Sequence, residues 1–344
     1  MKDYESFMAR SVHLIIKYQK TDISQDIRKY IVGLSYTDNA TGAADDLQLT
    51  LEDREGLWHS HWMPTKGDTI EASFYVENWN LKKEKQLLPC GTFEIDEIAL
   101  SGPPDTVEIK GQSVPISGGI KQTARTQSWK KIKLSKIASE IARRGGLKCF
   151  FDVQEDVTYE NLDQVKQPDL IFLQELCNEA GVSLKVTAGQ LVIFDAYAYE
   201  CKAPILTLVK GKSHIISYTF THQTNDTGYK ACHVRYTDAQ TNTTIEATFK
   251  DPSKAQGPVL EVNEQVKSYK EALKLAKSKL REKNKQECTG SFTVLGNVQL
   301  VAGVTLLIKG FHAFDGKYIV NKATHHIVGG YTTDIEISKC LEGY

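Results

Sequence analysis

Histidines and adjacent acids are the side chains of this sequence whose spacing could support chemistry. His59 and His61 place two imidazoles on one face of an extended segment, a geometry that can hold a metal ion. Asp53 and Glu55 precede them, but the nearby sequence offers no clear third ligand. The pattern therefore favours a polar surface strand flanked by tryptophans over a metal site. No metal and no cofactor are predicted.

Pairs of neighbouring acids raise the question of glycoside hydrolysis. Asp45 is followed by Asp46, and Asp96 by Glu97. Hydrolysis of a glycosidic bond needs two carboxylates that face the same sugar bond. Since adjacent side chains on a strand point to opposite faces, these pairs are predicted to point apart on solvated strands.

The remaining candidate base is His325, which is followed by His326. On an extended strand the two rings point to opposite faces and cannot chelate as a pair. His325 is predicted to be a packed or hydrogen-bonded histidine. The sequence also lacks the G-x-S-x-G, H-E-x-x-H, phosphate-loop and dinucleotide fingerprints. A protein that is not an enzyme, with no catalytic residues, is therefore predicted.

One basic concentration with an aromatic neighbour runs from Trp129 through the lysines up to Lys136 and on to Lys148. A nucleic-acid surface has this composition, but so does a lysine-rich, solvated helix face, which the pattern favours. A contact with an acidic neighbour is a third interpretation. Because 42 basic residues are matched by 43 acidic ones, no global field attracts nucleic acid, and no specific nucleic-acid partner is predicted.

The cysteines and the apolar stretches limit the compartment. The seven cysteines are scattered and form no C-x-x-C pair, which is typical of a chain that folds in a reducing cytoplasm. The longest apolar stretch, around residues 298–308, is too short to cross a bilayer. Nothing in the sequence predicts secretion or membrane insertion.

Two distant stretches, 91–98 and 316–323, follow the same pattern. Each has a glycine, an aromatic residue two positions on, a β-branched residue two further, and then Asp or Asn. Each also follows an upstream strand that begins at a glycine. These two stretches, called the glycine phrases below, predict hairpin units of a small barrel or sandwich, and their recurrence predicts two related domains. The alternative is two unrelated hairpins with the same turn chemistry. The matched positions are Gly67, Gly91 and Phe93 with Gly303, Gly316 and Tyr318.

A region in which apolar residues recur at helical spacing separates these two strand-rich regions. A first helix is predicted from Leu134 to a stop at Gly145, and a second from Pro168 to Gly181, followed by a hairpin that turns at Gly189. A third helix is predicted after Ser268. The predicted fold is α+β and mainly β, with two related small β-barrel domains and an α+β insert between them. The predicted domains are 1–115, 116–200 and 201–344, the last with one helix.

The insert and the last third of the chain resemble the phage late control protein D family. Residues 167–176 are similar to its Q-x-D-x-x-F-L-x-x-L stretch, and residues 301–325 to its closing "aG", "dG-x-Y-x-V" and histidine pattern. Pro168 departs from the usual small residue, and residues 223–248 match nothing in the family. Together with the first glycine phrase, the resemblance gives the structural motif positions Gly91, Phe93, Asp169, Phe172, Leu173, Gly303, Asp315, Gly316, Tyr318 and His325.

This resemblance implies the structural hub of a contractile tail baseplate, which is also similar to the upper part of type VI secretion spike proteins. It implies a homotrimer with two barrels per subunit that joins a sixfold tail tube to a threefold spike. The implied partners are the tube, spike and other baseplate proteins, with the tape-measure protein as a further candidate. Such a particle is assembled in the bacterial cytoplasm and then released. Whether it is a complete phage or a headless bacteriocin stays open. The alternative function is a peptidoglycan-processing or sugar-binding tail-tip protein.

Overall fold

The computed structural model describes residues 9–79, 81–113, 119–187, 189–238 and 243–344. The chain is mainly β, with 49% strand and 16% helix. The first part contains β1 (Ser11–Tyr18), β2 (Thr21–Asp22), α1 (Ser24–Ile27), β3 (Ile31–Asn39), β4 (Asp46–Glu52), β5 (Thr69–Glu77), β6 (Lys85–Ser101) and β7 (Thr106–Gln112). The middle part contains β8 (Ala124–Lys133), α2 (Leu134–Arg144), β9 (Lys148–Asp152), β10 (Thr158–Pro168), α3 (Asp169–Ala180), β11 (Ser183–Thr187), β12 (Gln190–Phe194) and α4 (Ala196–Cys201). The last part contains β13 (Leu206–Val209), β14 (Ile215–His222), β15 (Ala231–Asp238), β16 (Thr243–Lys250), β17 (Val259–Val262), α5 (Tyr269–Asn284), β18 (Cys288–Leu295), β19 (Thr305–Lys309), a 3-10 turn (His312–Phe314), β20 (Gly316–Ile327) and β21 (Tyr331–Lys339).

The first strand unit comprises β1 and β3–β7, which lie side by side in the order β3-β4-β7-β6-β5-β1. Alternating apolar residues of β4, β5 and β7 are buried on one face, as the sequence pattern predicts. Phe74, Phe93 and Ile95 lie at the centre of this core. The long strand β6 connects the two halves of the unit, because its first half pairs with β5 and its second half pairs with β7.

The insert consists of the ribbon β8–β10, the sheet β11-β12-β9 and helices α2 and α3. Both predicted helices and the predicted hairpin are confirmed. The prediction of a lysine-rich helix face is correct only in part, because Trp129 and the three lysines up to Lys133 lie on strand β8, whereas Lys136 lies exposed on helix α2. Trp129 is buried against the insert core, while Lys130, Lys131 and Lys133 are exposed. Alternation along a ribbon that buries a single tryptophan produces this mixture of residues.

The second strand unit comprises β13, β14 and β18–β21, in the order β14-β18-β21-β20-β19-β13. Between β14 and β18 the chain forms a side lobe, in which α5 packs on the sheet β16-β15-β17. The predicted cap of α5 is confirmed, because Ser268 Oγ accepts a bond from Glu271 N–H at 3.2 Å. Residues 223–248, which no motif explains, lead into this lobe and its first strands, and their segment 239–242 lies outside the described residues.

Together with the short strand β2, which pairs with β1, the two units form one continuous sheet of 13 strands, because β20 also pairs with β3. Within the described ranges no sheet closes into a barrel. The finding therefore supports a mainly β fold with several sheets and does not confirm the expected pair of separate barrels. The physical reason is the pairing of β20, whose second half continues the sheet into the other unit instead of turning back on its own unit.

Candidate functional site

The joint between the two units is the point where distant parts of the chain meet. Strand β20 pairs antiparallel with β3 over six residue pairs, from Lys322 with Asn39 to Ile327 with Leu34. Beneath the joint, His325 is fully buried and stacks on the ring of Tyr36 with centroids 6.1 Å apart. The joint therefore combines a backbone ladder with an aromatic core shared by both units.

His325 is held by hydrogen bonds at both ring nitrogens. Its Nε2 lies 3.0 Å from the carbonyl oxygen of Leu300, and its Nδ1 lies 2.8 Å from the hydroxyl of Tyr331. Because a carbonyl can only accept, Nε2 carries the proton and Nδ1 accepts from Tyr331. Burial lowers the pKa of His325 to about 4. The ring is therefore neutral at pH 7 and acts as a packed, hydrogen-bonded side chain.

The glycines that begin the upstream strands make the same hydrogen bonds in both units. Gly67 N–H donates to Ile95 O at 2.8 Å, and Gly303 N–H donates to Val320 O at 2.8 Å. In both copies the residue after the glycine accepts a return bond from the same inner-strand residue at 2.9 Å. Both glycines have positive φ, at 93° and 87°, a conformation that other residues rarely adopt.

The second glycine of each phrase leads an inner strand with a buried aromatic residue. Gly91 and Gly316 have φ values of 102° and 147°. Two residues on, Phe93 and Tyr318 are both fully buried in their respective cores. In the turn before Gly316, the Asp315 carboxylate accepts the backbone N–H of Phe311 at 2.6 Å, and this hydrogen bond lowers the pKa of Asp315.

Irregularities of the ladders also recur at matching positions. The ladder between β6 and β7 shifts register at Asp96, and the ladder between β20 and β21 shifts at Asn321, the same place in the glycine phrase. A second shift lies at Val32 of β3 and at Ile216 of β14. Tracing the paired strands from the glycine phrases outward matches Ile98, Ile109, Leu49 and Leu34 with Ala323, Ile335, Phe292 and Tyr218.

Asp169 organises the insert. Its buried carboxylate accepts a bond from Gln164 Nε2 at 2.9 Å, and it lies 3.3 Å from Arg125 Nε and from Arg144 Nη1. Arg144 ends helix α2, so Asp169 ties the start of α3 to the end of α2 and to strand β8. A buried charge of this kind is stable only with such partners.

The other two motif residues of the insert are core residues. Phe172 stacks on Trp129 with ring centroids 5.5 Å apart and nearly parallel planes. Leu173 is fully buried in the same cluster. The motif positions thus lie in three places, the two strand units and the insert core. They do not converge on one cleft.

A buried ionic junction, which sequence reasoning missed, connects the insert with both strand units. Lys185 of β11 forms an ion pair with Asp38 of β3 and lies 3.9 Å from Asp45. Asp38 also accepts the backbone N–H of Ala302 at 2.8 Å. Burial raises the pKa of Asp45 to about 6. No sequence signal marks this junction, because Lys185 lies more than a hundred residues from both of its acidic partners.

The face of the sheet opposite the core of the first unit carries an open, polar groove of about 790 Å³. Asp46, Asp96 and Glu97 all line it. The first acid pair points apart as predicted, since Asp45 is buried at the junction while Asp46 lines the groove. The prediction for the second pair is wrong, because the bulge at Asp96 brings both acids into the groove. Lys110 neutralises part of this charge by an ion pair of 2.9 Å with Glu97.

The histidine pair of the first unit lies on a turn and not on the expected strand. His59 Nδ1 lies 2.5 Å from Asp53 Oδ2, whose carboxylate also accepts the backbone N–H of Trp58. This local pairing bends the segment, and His61 remains exposed. Within the ranges that the structure describes, no group of His, Cys, Asp or Glu could hold a metal ion. Each helix found there is too short or too polar to span a membrane.

The solved structures that share this fold include two that cover most of this chain. The 43 kDa tail protein of prophage MuSo2 from Shewanella oneidensis has a TM-score of 0.74 and 13% identity, over 96% of this chain and 98% of that chain. A type VI secretion system component from E. coli has a TM-score of 0.56 and 11% identity, over 92% of this chain and 75% of that chain. The class of fold is thus that of phage tail proteins.

Residues 114–331 match the phage tail baseplate hub (GPD) family, and the chain belongs to that family. The resemblance predicted from the sequence is confirmed. A probable baseplate hub protein of Escherichia phage 186 is 28% identical over 176 residues. That match covers 51% of this chain and 43% of the phage protein, so the matched region is less than half of the relative's length.

Proposed function

We propose that this chain is the trimeric hub of a phage tail or phage-derived contractile particle. The observation that carries the proposal is the repeated strand order. The first unit runs β3-β4-β7-β6-β5-β1 and the second runs β14-β18-β21-β20-β19-β13, with matching glycine bonds and matching bulges. Two units of one design in each chain give three chains six similar stations. A sixfold tube and a threefold spike can both bind such a ring.

The division into domains follows from the same repeat. We assign 1–115 and 201–344 to two related tube-like domains and 116–200 to the insert. Separate apolar clusters support the assignment, although Val298 and Tyr331 also pack into the core of the first unit. The boundary between residues 115 and 116 lies outside the described residues. Barrel closure is proposed to arise between units and between chains, since β20 already extends one unit into the next.

The proposed partners are a second and third copy of the chain, the tail tube protein, the spike protein and other baseplate proteins, with the tape-measure protein as a further candidate. The similarity of fold to a type VI secretion component supports a spike partner. The particle is proposed to assemble in the bacterial cytoplasm and to leave the cell as a phage or a headless bacteriocin.

Stoichiometry in the purified particle tests the hub proposal. We expect three copies of this chain for each particle, measured by quantitative mass spectrometry with isotope-labelled peptides and with the spike protein as an internal standard. An isolated chain at low concentration is a weaker sample, since oligomers dissociate on dilution. Six copies, or a single copy, would rule out a trimeric hub that joins a sixfold tube to a threefold spike.

A peptidoglycan-processing protein is the second candidate, because Asp46, Asp96 and Glu97 line one groove. We expect no turnover, since the groove is open and polar and Lys110 pairs with Glu97. The measurement is release of soluble fragments from purified cell walls by the protein at micromolar concentration, with lysozyme as a positive control. Turnover that disappears in both Asp46→Asn and Asp96→Asn would establish the enzyme instead.

A further inference from the structure

Among the strand edges that have no strand partner within the described residues are one side of the second half of β6 and one side of β14. Strand β6 pairs with β5 through residues 85–94 on one side and with β7 through residues 94–101 on the other. Its β5 side is therefore open over residues 97–101. Strand β14 pairs with β18 on one side, and its other side is open along its length. Open edges of this kind pair readily with another strand.

These edges correspond to the two edges that form the joint inside the chain. Residues 97–101 match residues 322–326 of β20 through the glycine phrases and the bulges at Asp96 and Asn321. Residues 219–223, the end of β14 and the residue after it, match residues 35–39 of β3 through the bulges at Ile216 and Val32. In the internal joint, the β20 segment of the second unit pairs with the β3 segment of the first unit. The matching segments of β6 and β14 are the open edges.

We propose that the open edge of β14 pairs antiparallel with residues 97–101 of β6 in a neighbouring copy of this chain, in the register of the internal joint. The proposal rests on the hub function and specifies its chain-to-chain contact. In the internal joint, Lys322 pairs with Asn39 and His326 pairs with Ser35. Transferred to the open edges, it pairs Glu97, Ile98, Ala99, Leu100 and Ser101 with Gln223, His222, Thr221, Phe220 and Thr219.

The side chains at these edges fit the proposed pairing. Leu100 is 55% exposed, whereas His325, its counterpart in the internal joint, is fully buried. Opposite Leu100 the register places Phe220 of β14, which is itself only partly buried. On the polar face, Ala99 would lie opposite Thr221 as Thr324 lies opposite Thr37. The register buries exposed apolar groups and sets no like charges opposite each other.

Each chain carries one edge of each kind, so the contact is head-to-tail. Such contacts generate a closed ring when the rotation per chain closes. In that ring, internal and intermolecular joints alternate and have the same chemistry. Every unit then has the same two neighbours, which is what a sixfold partner surface requires.

Disulfide trapping in assembled particles tests the register. The variant Ala99→Cys with Thr221→Cys, in a Cys201→Ser background that removes the exposed native thiol, is expected to give a covalent species of three chains of 38.5 kDa on a non-reducing gel. The variant Thr37→Cys with Thr324→Cys is the positive control, and it should lose two free thiols within one chain. The variant Ala99→Cys with His222→Cys points to opposite faces and should stay uncrosslinked.

A second pair of variants covers the case in which the cysteine variant does not assemble. Leu100→Asp is expected to keep the circular dichroism of the isolated chain and to reduce its incorporation into particles at least tenfold. Leu87→Asp, on the same strand and 54% exposed, should be incorporated normally. Normal incorporation of Leu100→Asp, or no trapping at Ala99 and Thr221 while the internal control closes, would overturn the register. Three copies per particle without trapping would leave the hub function standing.

Discussion

Asp169→Ala is expected to lower the free energy of unfolding by about 2–3 kcal/mol, because the substitution removes a buried, hydrogen-bonded carboxylate. The substitution removes the carboxylate that lies 3.3 Å from both Arg125 and Arg144. The expected loss is smaller than for a fully buried ion pair, because Arg125 is 39% exposed and Arg144 keeps its contacts with Glu140 and Gln127. Urea denaturation at pH 7, followed by tryptophan fluorescence, to which Trp129 stacked on Phe172 contributes, measures the change.

Asp163→Ala is the matched control, because this exposed acid lies on strand β10, which forms the ribbon together with β8. It should change the free energy of unfolding by less than about 0.5 kcal/mol, as surface substitutions usually do. If Asp169→Ala were as mild as Asp163→Ala, the carboxylate would not hold α2, α3 and β8 together. Its place in the family motif would then need another explanation.

The stabilising contribution of His325 is expected to disappear in acid. Its pKa of about 4 in the folded protein lies below the ordinary value of 6.5, so the unfolded chain binds a proton first as the pH falls. The contribution is complete above pH 6.5 and is lost as the pH falls to about 4. A difference of this size corresponds to about 3 kcal/mol.

His325→Gln removes this titration and isolates the effect. At pH 7 the variant should be about 2–3 kcal/mol less stable than the unchanged protein, because it loses buried hydrogen bonds to Leu300 and Tyr331. The gap should narrow or close by pH 4. The raised pKa of Asp45 acts in the opposite direction, its contribution being lost as the pH rises through about 6, but it is common to both proteins and cancels.

His326→Gln, at the neighbouring and partly exposed position, serves as the control. Its Nε2 lies 3.2 Å from Asp334, and its stability gap should stay small at every pH. A gap for His325→Gln that is constant between pH 7 and pH 4 would contradict a neutral, buried imidazole at the joint.

The parts of the fold that the sequence predicts correctly are those that local sequence patterns determine. Helices α2, α3 and α5 follow from periodicity and caps, and the glycine phrases mark turns that make the same hydrogen bonds in both units. The joint could not be predicted, because the pairing of β20 with β3 depends on which sheet edge is free once both units are folded. The same holds for the junction of Lys185 with Asp38, two residues on different elements.

The errors also have local physical causes. The turn at His59 arises because the Asp53 carboxylate binds the imidazole and two backbone N–H groups nearby, which bends an otherwise strand-like segment. Asp96 and Glu97 share a face because of a bulge, and strict alternation fails at bulges. Single-strand patterns do not reveal bulges, since a bulge is a property of two paired strands.

A reconstruction of the released particle by electron cryomicroscopy, refined at the hub without imposed symmetry, counts the copies of this chain and shows which strands pair between them. We expect a ring of three copies of this chain around a channel, with β14 of each copy paired to residues 97–101 of the next. A ring of six chains, or one chain attached at the tail periphery, would contradict the trimeric hub even if the fold of each chain were unchanged.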